Sequence, residues 1–222
     1  MAEIVAEHDF IEVDYTGRLP EGVVFDTTLE TIAHGMPGHV HNAKLKPAVI
    51  CVGEKQLLPG LDEVFVGKEV GKEYTVRLSA DKAFGKKDIK KIRLIPMSTF
   101  KEHKVAPQVG LSVEVDSERG VVSSVAGGRV LVNFNHPLAG VDVSYTFRVN
   151  RKVVEPKEQI LSFLTTVMRL KEEAFMISLE KDMARVEVPF SLPEQFMQAL
   201  SEKLCGLTHL KEITFMTTQA KQ

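Results

Sequence analysis

Apolar and polar positions alternate in short stretches through the first two thirds of the chain, and the alternation breaks wherever glycine or proline intervenes. Phe10, Glu12 and Asp14 fall on one side and Ile11, Val13 and Tyr15 on the other, which predicts a half-buried strand over 8–16. Gly17 and Pro20-Glu21-Gly22 carry turn chemistry, so Val23-Val24-Phe25 returns as a second strand. Further strands are predicted over 49–52 and 74–78, with a short helix over 57–65. Residues 29–47 hold Gly35, Pro37, Gly38 and Pro47 and read as a long connection, a type of segment that often carries function.

At Lys86 the texture changes. Lys86, Lys87, Lys90, Lys91 and Arg93 form a basic run that reads as a solvated hinge. Strand-like pieces follow at 92–95, 111–115, 121–125 and 130–134, with a short turn or helix at 96–100, and together they make a small β unit. Alternation over 141–149 restores a strand of the first domain, so the β unit is an insertion. From Glu155-Pro156 the period lengthens. Ile160, Leu161, Phe163, Leu164, Val167, Met168 and Leu170 make a wide apolar helix face. Segments 174–179 and 184–188 predict a hairpin, and Ser191-Leu192-Pro193-Glu194 fits a capping box opening a helix through Leu204 that ends at Gly206. A last strand is predicted over 210–217. The order α-β-β-α-β predicts a separate small α+β domain over 155–222.

The 222 residues are 44% apolar, enough to bury a sizeable core. Lys and Arg total 28 against 30 Asp and Glu, and the net charge of −2 gives no reason to expect a nucleic-acid partner. Cys51 and Cys205 read as small buried hydrophobes. The first seven residues carry acids and no long apolar stretch, unlike a signal peptide or anchor. No run approaches the roughly 20 apolar residues that span a bilayer. A soluble, cytoplasmic protein without membrane or nucleic-acid partners is expected.

Four motifs stand in order: Val13-Asp14-Tyr15-Thr16-Gly17, then Val24-Phe25-Asp26-Thr27-Thr28, then Val52-Gly53-Glu54-Lys55-Gln56-Leu57-Leu58-Pro59-Gly60-Leu61, then Asp81-Lys82-Ala83-Phe84-Gly85. Together they resemble the FKBP family of peptidyl-prolyl cis-trans isomerases. The insertion after Phe84-Gly85, closed by Asn135-His136-Pro137-Leu138-Ala139-Gly140, resembles the SlyD-like branch, whose flap carries a chaperone domain. The tail from 155 is similar to the extra C-terminal domain of long archaeal-type FKBPs. The resemblance implies an α+β fold: a half-barrel antiparallel sheet wrapped on a short helix. It divides the chain into an isomerase domain over 1–85 and 136–153, an inserted domain over 86–135 and a C-terminal domain over 155–222.

Rotation about X–Pro breaks amide resonance, and the twisted amide is less polar than the planar one. A dry apolar pocket therefore favours the transition state, and no metal or cofactor is implied. The resemblance assigns catalytic positions to Tyr15, Asp26, Leu58, Phe84 and Tyr145. It assigns substrate contacts to Phe25, Leu57, Leu61, His136 and Leu138. The Leu58 N–H would hold a substrate carbonyl, and the Tyr15 hydroxyl would hold the Asp26 carboxylate. Phe84 stands where the family often has tyrosine, and Leu61 where many relatives have an aromatic floor.

In the insertion, Ile95, Met97 and Phe100, with Val105, Val113 and Val132, are candidates for an exposed groove that takes unfolded chains. The valines read better as that unit's own core. His34, His39 and His41 share the long connection, and the spacing His39-Val40-His41 admits a metal but lacks supporting ligands. The expected partners are proline-containing and unfolded polypeptides, with a homodimer through the apolar helix face in 155–222. The rival readings are a non-catalytic peptide-binding chaperone and, last, a metal-handling protein.

Overall fold

The computed structural model describes residues 2–33 and 45–217. His34, His39 and His41 lie outside the described residues. In chain order the elements are β1 (Phe10–Arg18), β2 (Val24–Thr27), α1 (Glu30–Ala33), β3 (Ala48–Cys51), α2 (Pro59–Phe65), β4 (Glu73–Leu78), β5 (Ile92–Pro96), α3 (Met97–Glu102), β6 (Ser112–Val115), β7 (Glu118–Ala126) and β8 (Arg129–Asn133). Then come β9 (Val143–Lys152), α4 (Pro156–Met168), β10 (Met176–Glu180), β11 (Met183–Val188), α5 (Glu194–Thr208) and β12 (Glu212–Thr217). No described helix is long and apolar enough to cross a membrane. Two compact units result: Ser79–Asp142, and the segments before and after it together.

The larger unit is organised on β1, which pairs antiparallel with β2, β3 and β9, while β9 also pairs with β4. The register sets Tyr15 against Phe147 and Gly17 against both Tyr145 and Asp26. Pro59 suits the first turn of α2, where its missing N–H is no loss. Leu61 and Phe65, one turn apart, are buried from this helix, and the Phe65 ring meets Phe147 edge-on at 4.9 Å. Gly17, expected in a turn, lies inside β1 instead. A Cβ at Gly17 would sit 2.8 Å from Phe25 Cζ and 2.9 Å from Tyr145 Cζ, so glycine is set by the close approach of two rings.

The C-terminal segment corrects two expectations. It is not a separate domain: Ile160, Phe163 and Leu164 of α4 share one core with Leu200 and Leu204 of α5, with Val186 and Ile213 of the β10-β11-β12 sheet, and with Phe10 and Cys51 of the first sheet. A face as wide as that of α4 needs covering on two sides, and β3 lies against it as well as β10 and α5. The apolar face proposed for dimerisation is therefore occupied within the chain. Nor is the capping box made. Pro193 precedes α5 without a side-chain cap, and the helix passes through Gly206 to end at His209 in left-handed conformation.

Ser79–Asp142 holds an antiparallel sheet of order β5-β8-β7-β6 with α3. The unit is wider than the expected 86–135 because its two connecting segments bond to each other. The Ala80 N–H donates to Asp142 Oδ1 (3.0 Å), the Gly140 N–H to the Gly85 carbonyl (2.8 Å) and the Asp88 N–H to Asn135 Oδ1 (2.8 Å). Its core is Ile95, Phe100, Val122, Val130 and Val132, with Met97, Val113 and Phe134 packed against it. Ile95 and Phe100, expected on an exposed surface, are thus mainly core, because so small a sheet has few other large side chains to fill it.

Candidate functional site

The loop before α2 is pinned from several directions. Gly53 has φ of +92°, a conformation that favours glycine. The buried Asp62 carboxylate accepts the N–H groups of Gly53 and Lys55, each at 3.1 Å. Gln56 Oε1 accepts the Cys51 N–H at 2.7 Å, and Lys203 of α5 bridges to Glu54 at 2.7 Å. Held this way, the loop presents Leu57 and Leu58, both half-buried. The Leu58 carbonyl accepts the Leu61 and Asp62 N–H groups, and its own N–H donates to no backbone group among the described residues.

A second cluster lies across β2, β1 and β9. The hydroxyls of Tyr15 and Tyr145 lie near the Asp26 carboxylate and favour its ionised form. The Tyr15 and Tyr145 rings lie 5.8 Å apart, and Phe25 meets Tyr145 edge-on at 5.8 Å. Burial pushes the Asp26 carboxyl up, against the opposing pull of hydrogen bonds from the Thr27 N–H and from Tyr145 and Tyr15. The Tyr15 phenol is pushed up to about 12, first by burial and then by the neighbouring Asp26 charge, and Tyr145 is shifted the same way for the same first reason. Two neutral phenols beside a carboxylate make a polar edge on an aromatic wall.

The structure thus brings Tyr15, Phe25, Asp26 and Tyr145 together, and places Leu57, Leu58 and Leu61 on or beside α2. Leu61 and Tyr145 are only 1% and 2% exposed, while Phe25, Leu57 and Leu58 are half-buried. Phe84, His136 and Leu138 belong to the other unit. There the His136 ring stacks on Phe84 at 4.6 Å, and His136 Nδ1 accepts the Leu138 N–H at 3.1 Å. Sequence reasoning missed Gly17, Gln56 and Asp62. A small residue in a β-branched and aromatic alternation is the one signal that points to Gly17. Nothing in the pattern marks Asp62, whose acid reads as ordinary helix surface.

In the Ser79–Asp142 unit a groove of ≈ 270 Å³ runs between α3 and β6, lined by Phe100, His103, Val105, Leu111 and Val113. Phe100 so lines the groove from the core side.

Two family models match the chain, and their ranges overlap within the Ser79–Asp142 unit. A family model described as FKBP-type peptidyl-prolyl cis-trans isomerase matches residues 2–102, and one described as FKBP26, IF domain, matches residues 93–138. The chain is 30% identical to a short-type peptidyl-prolyl cis-trans isomerase of Methanocaldococcus jannaschii, over 71% of this chain and 99% of that one. It is 29% identical to an FKBP-type 16 kDa peptidyl-prolyl cis-trans isomerase of Escherichia coli, over 67% of this chain and 94% of that one. It is 25% identical to the FKBP-type peptidyl-prolyl cis-trans isomerase SlyD of Haemophilus influenzae, over 65% of this chain and 70% of that one.

Proposed function

The chain belongs to the family of FKBP-type peptidyl-prolyl cis-trans isomerases, and from that premise we propose that it turns X–Pro bonds at the surface formed by Phe25, Leu57 and Leu58, backed by Leu61 and Tyr145. The observation that carries this reading is the wall of Tyr15, Tyr145 and Phe25 rings packed 5.8 Å apart, with the Asp26 carboxylate beside the two phenols. Planar X–Pro rotates slowly against a barrier of ~18–20 kcal/mol. An apolar surface lowers it by taking in the less polar twisted amide more readily than the planar one. The Leu58 N–H holds the carbonyl before the proline, and the fixed Asp26 keeps the Tyr15 and Tyr145 rings in place.

The test is isomerisation of a proline tetrapeptide by the wild type, Asp26→Ala and Tyr15→Phe. A fall in kcat/KM of about tenfold for Asp26→Ala, equal to ~1.4 kcal/mol of transition-state stabilisation, is expected. Unchanged rates in both variants would sink the site. Wild-type binding without turnover would leave a non-catalytic module.

The inserted unit acts as a chaperone, its α3–β6 groove holding apolar segments of unfolded chains. Deleting 87–133 is expected to keep tetrapeptide turnover and lose aggregation suppression; full suppression by the deletion variant would remove that role. A homodimer forms through the outer face of the C-terminal sheet, where Met176, Met183 and Met216 are 55%, 44% and 45% exposed. Met183→Glu is expected to yield a monomer by light scattering, and a dimer that survives the change would rule this face out.

A further inference from the structure

Beside the loop that carries Leu57, a cleft of ≈ 560 Å³ opens between β3 and α4, lined on one side by Ala48, Val49, Ile50 and Gln56 and on the other by Leu161, Ser162 and Thr165. Its volume lies in the range of ligand pockets. Two features show what it is built to take. The first is an open strand edge. The Cys51 N–H turns away from β1 to reach Gln56, and in an antiparallel pair the residue two before it turns the same way, so Val49 directs its N–H and C=O off the sheet. Among the described residues β3 pairs only with β1.

The second is a donor without an acceptor. Gln56 Oε1 is fixed as the oxygen because it receives the Cys51 N–H, which leaves Nε2 as the amide donor. That Nε2 is buried and has no hydrogen-bond partner among the described residues. Buried polar groups are ordinarily paired, so an orphaned amide N–H on a residue that lines a cleft marks the side chain that can turn to meet an incoming acceptor. On the α4 wall, the Ser162, Thr165 and Thr166 hydroxyls donate back to helix carbonyls, which leaves their oxygens with acceptor capacity.

We propose that this cleft binds an extended segment of the substrate polypeptide flanking its proline. The segment adds as a strand to the β3 edge, pairs with Val49 and gives a carbonyl to Gln56 Nε2. An extended peptide is the occupant because it alone offers alternating N–H and C=O groups to an open edge while supplying acceptors on the same side. Leu57 lines the cleft and is also assigned to the prolyl surface, so the two sites are continuous. The inference rests on the isomerase reading above for which polypeptide enters. It makes the C-terminal segment, through α4, a determinant of substrate length.

The experiment compares a proline tetrapeptide with the same peptide lengthened by six residues on each side, using anisotropy for binding and a peptide assay for turnover. The wild type is expected to bind the longer peptide at least about tenfold more tightly, the effect of one or two added hydrogen bonds. Thr165→Arg, which fills the cleft from the helix side, is expected to erase that advantage while tetrapeptide turnover stays within about twofold of wild type. Equal affinity for the two peptides in the wild type, or a length advantage that survives Thr165→Arg, overturns the proposal. The Gln56 side-chain amide gives a second reading independent of any variant. Its NMR resonances are expected to shift with the long peptide and not the short one, and resonances that stay still overturn the assignment. Absent tetrapeptide turnover counts against the isomerase reading alone, since the binding comparison still decides the cleft.

Discussion

Gly17 sits where three strands bring Asp26, Tyr145 and Phe25 to one point, and its missing side chain is what lets the rings meet. Gly17→Ala is expected to push Phe25 off Tyr145, destabilise the fold by about 1–3 kcal/mol and lower turnover; thermal melts and the peptide assay check this. The phenols add a pH dependence. Tyr15 is shifted from 10.0 in the unfolded chain up to about 12, so its contribution to stability is intact below pH 10 and is lost as pH rises through about 12. Tyr15→Phe removes that titration, and its melting temperature is expected to fall less than that of wild type between those two pH values. Asp26 is also shifted up, so its protonation favours the fold. The stability of wild type relative to Asp26→Asn is expected to be greater at pH 4 than at pH 7, measured by melts at matched ionic strength.

Among the elements, α2 depends on a turn that the pattern of apolar residues does not describe. Leu57 and Leu58 stand out in the sequence as an apolar pair between Gly53 and Pro59-Gly60, while Leu61 lies beyond that punctuation and is picked out only by the family resemblance. The groups that hold them, Asp62 and Gln56, are polar and look like surface, because a buried polar residue declares itself only through its partners. Asp62→Ala leaves the Gly53 and Lys55 N–H groups without their acceptor and is expected to cost about 1–3 kcal/mol, read from chemical denaturation. In the inserted unit, Phe100→Ala is expected to cost about 3–5 kcal/mol, which so small a core does not tolerate; loss of its amide protection in hydrogen exchange checks this. The strands of that unit were visible in sequence as alternation. Which side faced its core was not, since Ile95 and Phe100 suit a binding surface and a core equally well.

Across the whole chain, the sequence gives element order but not which faces meet. The helical texture after 155 is plain, yet nothing local says that Phe10 and Cys51, both more than 100 residues earlier, would close the same core. Removing 155–217 is expected to lower the melting temperature sharply. Re-exposing a side chain such as Phe10 alone costs about 1.5–3 kcal/mol, and an unchanged melt would contradict the shared core.

Leu78 and Val143, the last and first residues of the larger unit around the insertion, face each other as partners in the β4–β9 ladder. The insertion therefore departs from and returns to a single rung. A two-residue turn joining those strands would close an ordinary hairpin, and another compact sequence with neighbouring ends would fit the same socket. In evolutionary terms the rung is a cassette port. Compact modules can be exchanged there by recombination without altering the register of the sheet that carries Tyr15 and Tyr145.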